Sequence, residues 1–352
     1  MPDSEDLLCI DGSIGEGGGQ ILRTSLSLSL ITGRSVRLSN IRVRRGNPGL
    51  RRQHLTAVRA AAAVGRASVE GAEIGSRDLV FRPRGVFPGE YALDVGTAGS
   101  TTLVLQTLLP PLALAARGSA VKVSGGTHNH GAPPFEYIAR VFLPLVRRMG
   151  VCAEVSLLRH GFYPRGGGQI SAVIRPASSL SPLDLPERGA LRRVRAVALL
   201  AGLPRHIARR ELEVVRRSLG WHDDELNIEE IDPACGPGNC LMLEIESEHV
   251  TELFTAFGRL GVPAETVARE AVAAAHEYLE SDAAVGPYLA DQLLLPVALA
   301  GTGRFSATTV SGHAETNMHV IRHFLDVEFD VAPHGRGVMI SVHRGDGHRA
   351  DH

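Results

Sequence analysis

The run Gly15-Glu16-Gly17-Gly18-Gly19-Gln20-Ile21-Leu22-Arg23 follows a short apolar segment, Leu7–Ile10, and leads into leucines at Leu22, Leu26 and Leu30. Leucines at i, i+4 and i+8 predict a helix that Gly33 stops, although the interleaved serines also fit a strand of period two. Three consecutive glycines let the backbone take positive φ and let another molecule come close to its N–H groups. If the helix forms, its first unpaired N–H groups point at the loop, a natural seat for phosphate. Glu16 would repel an anion there unless a divalent cation bridges carboxylate and phosphate. A plain glycine turn between strand and helix, with Glu16 solvated, accounts for the same residues.

Working outward, 352 residues are enough for two domains, or for one large domain with an insertion. No apolar run approaches a membrane span, and the acidic Met1–Asp6 lacks a signal-peptide layout, so the expectation is a cytoplasmic protein without membrane attachment. Four cysteines in a chain of this length do not make a disulfide framework. Cys235 and Cys240 flank Gly-Pro-Gly-Asn, which reads as a hairpin turn and not as a metal pair. A net charge of −1 argues against a general nucleic-acid coat. The arginines are nevertheless grouped: Arg42, Arg44, Arg45, Arg51 and Arg52, then Arg188, Arg192, Arg193 and Arg195, then Arg205, Arg209 and Arg210. The chain has a single lysine, Lys122, so any chemistry that needs a lysine must use it.

The pattern helix–strand–strand recurs. It is expected at Gln53–Val64, Ala67–Glu70 and Asp78–Arg82; at Phe135–Met149, Val151–Leu157 and Gln169–Arg175; and at Asn317–Phe324, Asp326–Val331 and Gly337–His343. A second likeness joins Gln106-Thr-Leu-Leu-Pro110 to Gln292-Leu-Leu-Leu-Pro296, each followed by Val-Ser-Gly at Val123 or Val310. Gly17-Gly-Gly-Gln20 also returns as Gly166-Gly-Gly-Gln169. Such self-similarity means that one α/β unit is reused. Between Pro186 and Ser281 a different order is expected: strand Val194–Ala201, helix Arg205–Leu219, strands Glu225–Ile231 and Asn239–Ile245, then helices within Val250–Gly261 and Ala264–Leu279. The fold class is therefore α/β, with α+β repeats. Residues 1–185 and 282–344 form a large body of repeated βαβ-type units, 186–281 a small inserted α+β domain, and 345–352 a loose tail.

Several groups carry candidate chemistry. Arg42 to His54 joins a strand end, a turn and a helix start, and guanidinium forks aimed together suit phosphate oxygens, with Gln53 and His54 as further donors. A solvated charged turn is the competing reading. His313, in Val-Ser-Gly-His-Ala-Glu-Thr-Asn, has Gly126 or Thr127 at the matching place in the earlier copy, so the shared backbone does not demand a histidine. A neutral imidazole is a nucleophile, unlike a lysine ammonium. His128-Asn-His130 lacks a third metal ligand in pattern, and no Gly-Lys-Ser/Thr phosphate loop exists. Pro133, Pro134 and Phe135, with Tyr288-Leu289-Ala290-Asp291-Gln292, set apolar groups beside polar ones and could clamp a base or simply pack the core.

In this order the pieces resemble the RNA 3′-terminal phosphate cyclases. The resemblance rests on Asp11–Arg23, Asn47–Thr56, Gly99–Gln106, Val123–Thr127, Arg159-His-Gly-Phe-Tyr-Pro-Arg-Gly-Gly-Gly168 and Ala284–Gln292, and it runs through nearly the whole chain to about Arg344. It implies ATP and a divalent metal, Mg or Mn, as cofactors and RNA 3′-phosphate ends as substrate. A histidine would take AMP from ATP and pass it to the RNA 3′-phosphate, after which the ribose O2′ displaces AMP and leaves a 2′,3′-cyclic phosphate. Carried over by position, His313 would be the nucleophile and Glu16 the metal ligand. Arg23, Arg42, Arg45, Gln53 and His54 would hold the terminal phosphate. Gln106, Pro133, Phe135, Tyr288, Leu289, Ala290, Asp291 and Gln292 would line the adenylate pocket. The segment Ala307-Thr-Thr-Val-Ser-Gly before His313 departs most from the family pattern. Side activity on DNA ends and a homodimer are both compatible with the sequence. The rival readings are a polynucleotide-end adenylyltransferase, a non-catalytic cyclase-like ribosome-assembly protein, and an enolpyruvyl transferase. The retained His313, Glu16 and arginines argue against the second, and the absence of a lysine near the N-terminal loop argues against the third.

Overall fold

The computed structural model describes residues 7–232 and 236–345. Cys235 and most of the expected tail lie outside the described residues. Among the described residues the architecture is mixed α/β, built on four four-stranded sheets. The first unit runs β1 (Leu8–Asp11), α1 (Gly19–Thr32), β2 (Val36–Ser39), α2 (Arg52–Gly65), β3 (Ser68–Glu70) and β4 (Leu79–Arg82), with sheet order β1-β2-β4-β3. The second runs β5 (Glu90–Asp94), α3 (Thr101–Ala113), β6 (Ser119–Gly125), α4 (Phe135–Tyr137), a π-helical turn Ile138–Phe142, α5 (Leu143–Arg148), β7 (Cys152–Arg159) and β8 (Gly168–Arg175). Its sheet order, β5-β6-β8-β7, repeats the first.

The chain then lays down β9 (Leu183–Leu185) and turns to a separate sheet. That sheet comprises β10 (Leu191–Ala201), β11 (Leu226–Ile231), β12 (Gly238–Ser247) and β13 (Thr251–Phe257), covered by α6 (His206–Leu219) and α7 (Ala264–Glu280). Afterwards α8 (Pro287–Ala300), β14 (Gly303–Ala307), α9 (Gly312–Phe324), β15 (Val327–His334) and β16 (Gly337–Arg344) complete a sheet ordered β9-β14-β16-β15. In each of the three units the first two strands pair parallel and the last two antiparallel. The two sequence likenesses are thus halves of one βαβαββ unit: α3 and α8 carry the Gln…Pro copies, and α2, the α4–α5 segment and α9 lead the closing strand pairs. The Gly166–Gln169 copy opens β8 and has no helix behind it, so it is not equivalent to the loop before α1.

Helix α1 is the pivot, packed against α2, α3 and α9. Enclosure on several sides explains its sequence. Leu22, Leu26, Leu28 and Leu30 are buried, and so are Ser25, Ser27 and Ser29, whose small side chains let neighbouring helices approach. Ser27 donates its hydroxyl to the Thr107 carbonyl at 2.5 Å and Ser29 to that of Arg34 at 2.5 Å, which satisfies two of these polar atoms. Gly33 ends the helix at φ 74°, a left-handed cap that glycine takes without strain.

The expected helix within 250–261 is strand β13, paired antiparallel to β12. Leu253 and Phe257 face the main core while Phe254 and Ala256 face the core under α6 and α7. β10 divides in the same way: Val197 and Leu199 lie on one side, Ala198 and Leu200 on the other. With a core on each face, Leu253, Phe254, Ala256 and Phe257 do not alternate with polar residues, and their spacing imitates that of a helix. Among the described residues no helix is long and apolar enough to cross a membrane.

Glu252 of β13 is buried, and its Oε1 accepts the Gly286 N–H at 2.6 Å, at the cap of α8. Burial pushes its pKa up from 4.5 to about 7. Between those values the folded protein keeps a proton that the unfolded chain has released, so this group's contribution to stability falls as pH rises through about 7. Glu252→Gln keeps an acceptor and removes the ionisation. Melting followed from pH 5 to 8 is expected to show the variant gaining on the wild type by up to about 3 kcal/mol. Parallel pH profiles would refute this.

Candidate active site

The glycine loop is shaped first by Asp11, whose carboxylate accepts the Ser13 N–H at 2.9 Å and the Asn40 amide at 3.2 Å. Gly15 and Gly17 both stand at φ 55°, and a Cβ on Gly15 would lie 2.0 Å from Thr316 Oγ1 of α9. Glycine is thus required where the loop meets α9. The Glu16 N–H donates to that same Thr316 hydroxyl at 3.4 Å. Its carboxylate meets His313 Nε2 at 3.2 Å and Arg45 at 3.3 Å, while Arg45 also donates to the Glu16 carbonyl at 3.0 Å. His313 is the second residue of α9, in a helix start fixed by Ser311, whose hydroxyl accepts the Ala314 N–H at 3.1 Å. Loop, arginine turn and histidine therefore converge, although they come from three distant parts of the chain.

A second convergence lies at the start of α1. A Cβ on Gly19 would lie 2.4 Å from His54 Nε2 and 2.9 Å from an Arg23 guanidinium nitrogen. His54 is 5 % exposed, and its Nδ1 accepts the Arg51 N–H at 3.2 Å, which places the ring proton on Nε2, facing Gly19. Burial, reinforced by Arg23, Arg42 and Arg51, lowers the His54 pKa to about 3, so the ring is neutral at physiological pH. Burial likewise lowers that of Arg23 to about 10, against the pull of Asp291, and leaves it cationic. Arg42 plays a different part: its guanidinium donates to the carbonyls of Asn47 at 2.8 Å and Gly49 at 2.9 Å and so braces the turn that presents Arg45. Gln53 accepts the Ser100 N–H at 3.3 Å, tying α2 to the cap of α3.

The expected adenylate residues divide. Tyr288 is 69 % exposed at the first turn of α8. Asp291 accepts from Gln20, and from Asn317 at 3.2 Å. Burial raises its pKa, against the pull of Gln20, His313 and Arg23. Gln106 of α3 donates to Gln292 of α8. The Pro133 carbonyl accepts the Thr102 hydroxyl at 2.7 Å, and Phe135 packs half-buried against the main core. Leu289 and Ala290 are fully buried core residues, so their side chains hold α8 in place and do not face a ligand. Gln20, Asn317, Thr316 and Thr24 were not singled out in the sequence. Thr24 donates to Asn317 at 2.8 Å, and Asn317 in turn holds Asp291, so these residues fix the inner wall. Their only signal was adjacency to the glycine loop and to His313.

Of the histidine pair considered for metal, His128 joins Glu136 and His160 instead of His130. Thr127 bonds its Nδ1 at 2.8 Å and Glu136 its Nε2 at 2.8 Å, so both ring nitrogens are already engaged. Glu16 fits a divalent cation better. It is half-exposed beside a glycine loop, and Mg²⁺ commonly uses one or two carboxylates together with substrate phosphates.

A family model described as RNA 3′-terminal phosphate cyclase matches residues 14–331. A curated relative from Koribacter versatilis, named RNA 3′-terminal phosphate cyclase, is 53 % identical over 331 residues, covering 94 % of this chain and 93 % of the relative. One of the same name from Ralstonia nicotianae is 53 % identical over 323 residues, covering 92 % of each chain.

Proposed function

The chain belongs to the RNA 3′-terminal phosphate cyclase family, and from that premise we propose how its residues divide the reaction. It is an ATP-dependent ligase-type enzyme acting on RNA 3′-phosphate ends. His313 attacks the α-phosphorus of ATP; the bond to the β-phosphate oxygen breaks and pyrophosphate leaves. The AMP then passes to an oxygen of the RNA 3′-phosphate, which frees His313. The adjacent ribose O2′ attacks that activated phosphorus, loses its proton and expels AMP, closing the 2′,3′-cyclic phosphate. The activation is needed because a phosphate monoester repels an incoming oxygen and lacks a good leaving group, whereas the O2′ is already tethered within reach.

The observation that carries this reading is the meeting of His313, Glu16 and Arg45 beside Gly18, where a Cβ would lie 3.3 Å from Arg45 and 3.9 Å from His313. A cation held by Glu16 would supply charge neutralisation on the phosphate oxygens. Glu16 itself orients the His313 imidazole, and Arg45 offsets negative charge on the departing groups. Arg23 and the His54 Nε2–H grip the RNA terminal phosphate, with Gln53 at its edge. Tyr288, Asp291, Gln106 and Gln292 take the adenosine. Residues 186–281, set between β9 and α8, supply no reacting group; residues 1–185 and 282–344 hold all of them.

Incubation with α-³²P-labelled ATP, followed by denaturing electrophoresis, tests this course. Label is expected on the protein, released by acid and retained in alkali, because protonation turns a phosphoramidate imidazole into a good leaving group. Glu16→Gln should reduce labelling about tenfold to hundredfold, the cost of one charge-assisted contact. An unlabelled wild-type protein that still cyclises RNA would overturn the covalent route.

A further inference from the structure

Arg51 and Arg52 belong to the arginine-rich segment, yet the course above gives their side chains no work. Both are exposed. Arg37, Arg82 and Arg175 each face an acid, Asp78, Glu70 and Glu154 respectively, whereas among the described residues no carboxylate pairs with Arg51 or Arg52. The two flank a cleft of about 340 Å³ completed by Gln53, Ile74, Thr97 and Gly99. That volume suits a group the size of one nucleotide, at the lower end of small-molecule sites. Ile74, 53 % exposed, is a large apolar side chain left open to solvent in its wall. The backbone passes close to Arg52: its guanidinium lies 3.9 Å from where a Cβ on Gly96 would be, and Gly96 stands at φ 67°.

The cleft and the phosphate grip share the start of α2. Gln53 lines the cleft and directly precedes His54, and the Arg51 N–H is the donor that sets the His54 tautomer. An RNA whose 3′-phosphate sits at Arg23 and His54 must lead its preceding nucleotide away from α1. This opening offers that unit uncompensated cations for its phosphodiester, an apolar side chain for the face of its base, and amide and hydroxyl groups for its ribose. None of these contacts selects a base edge, so the grip is indifferent to sequence. We propose that this cleft binds the nucleotide preceding the RNA 3′ end, with Arg52 on its phosphodiester and Ile74 against its base. The proposal rests on the assignment of Arg23 and His54 to the terminal phosphate. It makes the cleft the feature that separates a strand end from a free nucleotide.

The test is fluorescence-anisotropy binding of the full chain to a 3′-phosphorylated RNA decamer over a salt series, with a nucleoside 3′-monophosphate as competitor. Arg52→Ala is expected to weaken decamer binding about tenfold and to flatten the log–log salt slope by about 0.7, one phosphate contact on a single strand. Ile74→Ala should weaken binding several-fold at unchanged slope, because it removes packing and not charge. Neither change should alter the competitor's affinity. Wild-type affinity and slope in Arg52→Ala, an equal loss for the monophosphate, or displacement of the decamer by poly-glutamate at matched charge would each overturn the proposal, the last by making the cleft a peptide site. Covalent labelling by ATP, followed in parallel, involves no RNA; its failure in the wild type would count against the nucleotidyl-transfer reading and leave the decamer result to judge the cleft.

Discussion

His313→Ala is expected to abolish both the covalent AMP adduct and cyclisation of an RNA 3′-phosphate, a loss on the order of 10⁴–10⁶-fold, as deletions of nucleophiles give. The variant should fold. The His313 side chain is 40 % exposed at the head of α9, and alanine is a good helix former. RNA supplied already adenylated at its 3′-phosphate should still close in the variant, because that step needs the tethered O2′ and the phosphate grip but no nucleophilic histidine. Mass spectrometry of peptides after ATP treatment should find AMP on the peptide containing His313. The lysine route common to nucleotidyl transfer is easily checked. Lys122 is exposed on β6, between Ala92 and Ser171 of the flanking strands, and the loop before α1 belongs to another sheet's unit. AMP on Lys122, or a fully active His313→Ala protein, would end this mechanism.

What the sequence disclosed depended on how each element is buried. Helices with one apolar face, such as α2 and α7, announced themselves, because solvent on the other face preserves the period of 3.6. α1 stayed open between helix and strand because its serines are buried as deeply as its leucines. β13 was misread for the related reason that both of its faces meet a core. β9, three residues long, carries too little pattern to find, and without it the third repeat appears to begin only at α8. The repeats were visible as two separate likenesses; their joining into one βαβαββ unit required the strand order.

The site divides in the same way. Residue types were legible: a glycine loop with a carboxylate, an arginine turn, a loop histidine. Their meeting was not, since the Glu16 and Thr316 partners are 300 positions apart and no local pattern encodes the approach. Pattern also treated all the arginines as equivalent, whereas the structure gives Arg42 to the turn, Arg45 to Glu16 and Arg23 to the space by Gly19. Asn317 and Gln20 were given no role because their shared partner, Asp291, lies far from Gln20 in the chain and on a different helix from each. They nevertheless hold the Asp291 carboxylate in a site where burial alone would raise its pKa further.

That distinction between arginines gives the second large effect. Gly19 is the first residue of α1, in a conformation that any residue accepts, so alanine there should favour the helix by up to about 1 kcal/mol. Its Cβ, however, would lie 2.4 Å from His54 Nε2 and 2.9 Å from the Arg23 guanidinium. Arg23 can swing its far end aside, but His54 is pinned through Nδ1 by the Arg51 N–H and is nearly enclosed. The added methyl therefore occupies the space in which, on the proposed assignment, the two donors would meet a phosphate. Losing both contacts, at about 1.5–3 kcal/mol each, predicts at least a hundredfold fall in cyclisation. The ATP half-reaction should suffer much less, because His313 Cε1 and Arg45 approach the loop at Gly18, one residue earlier. Single-turnover assays that separate adduct formation from ring closure measure the two effects, and circular dichroism confirms that the helix persists. Equal loss in both steps would move Arg23 and His54 onto the triphosphate, and an unaffected Gly19→Ala enzyme would remove them from phosphate binding altogether.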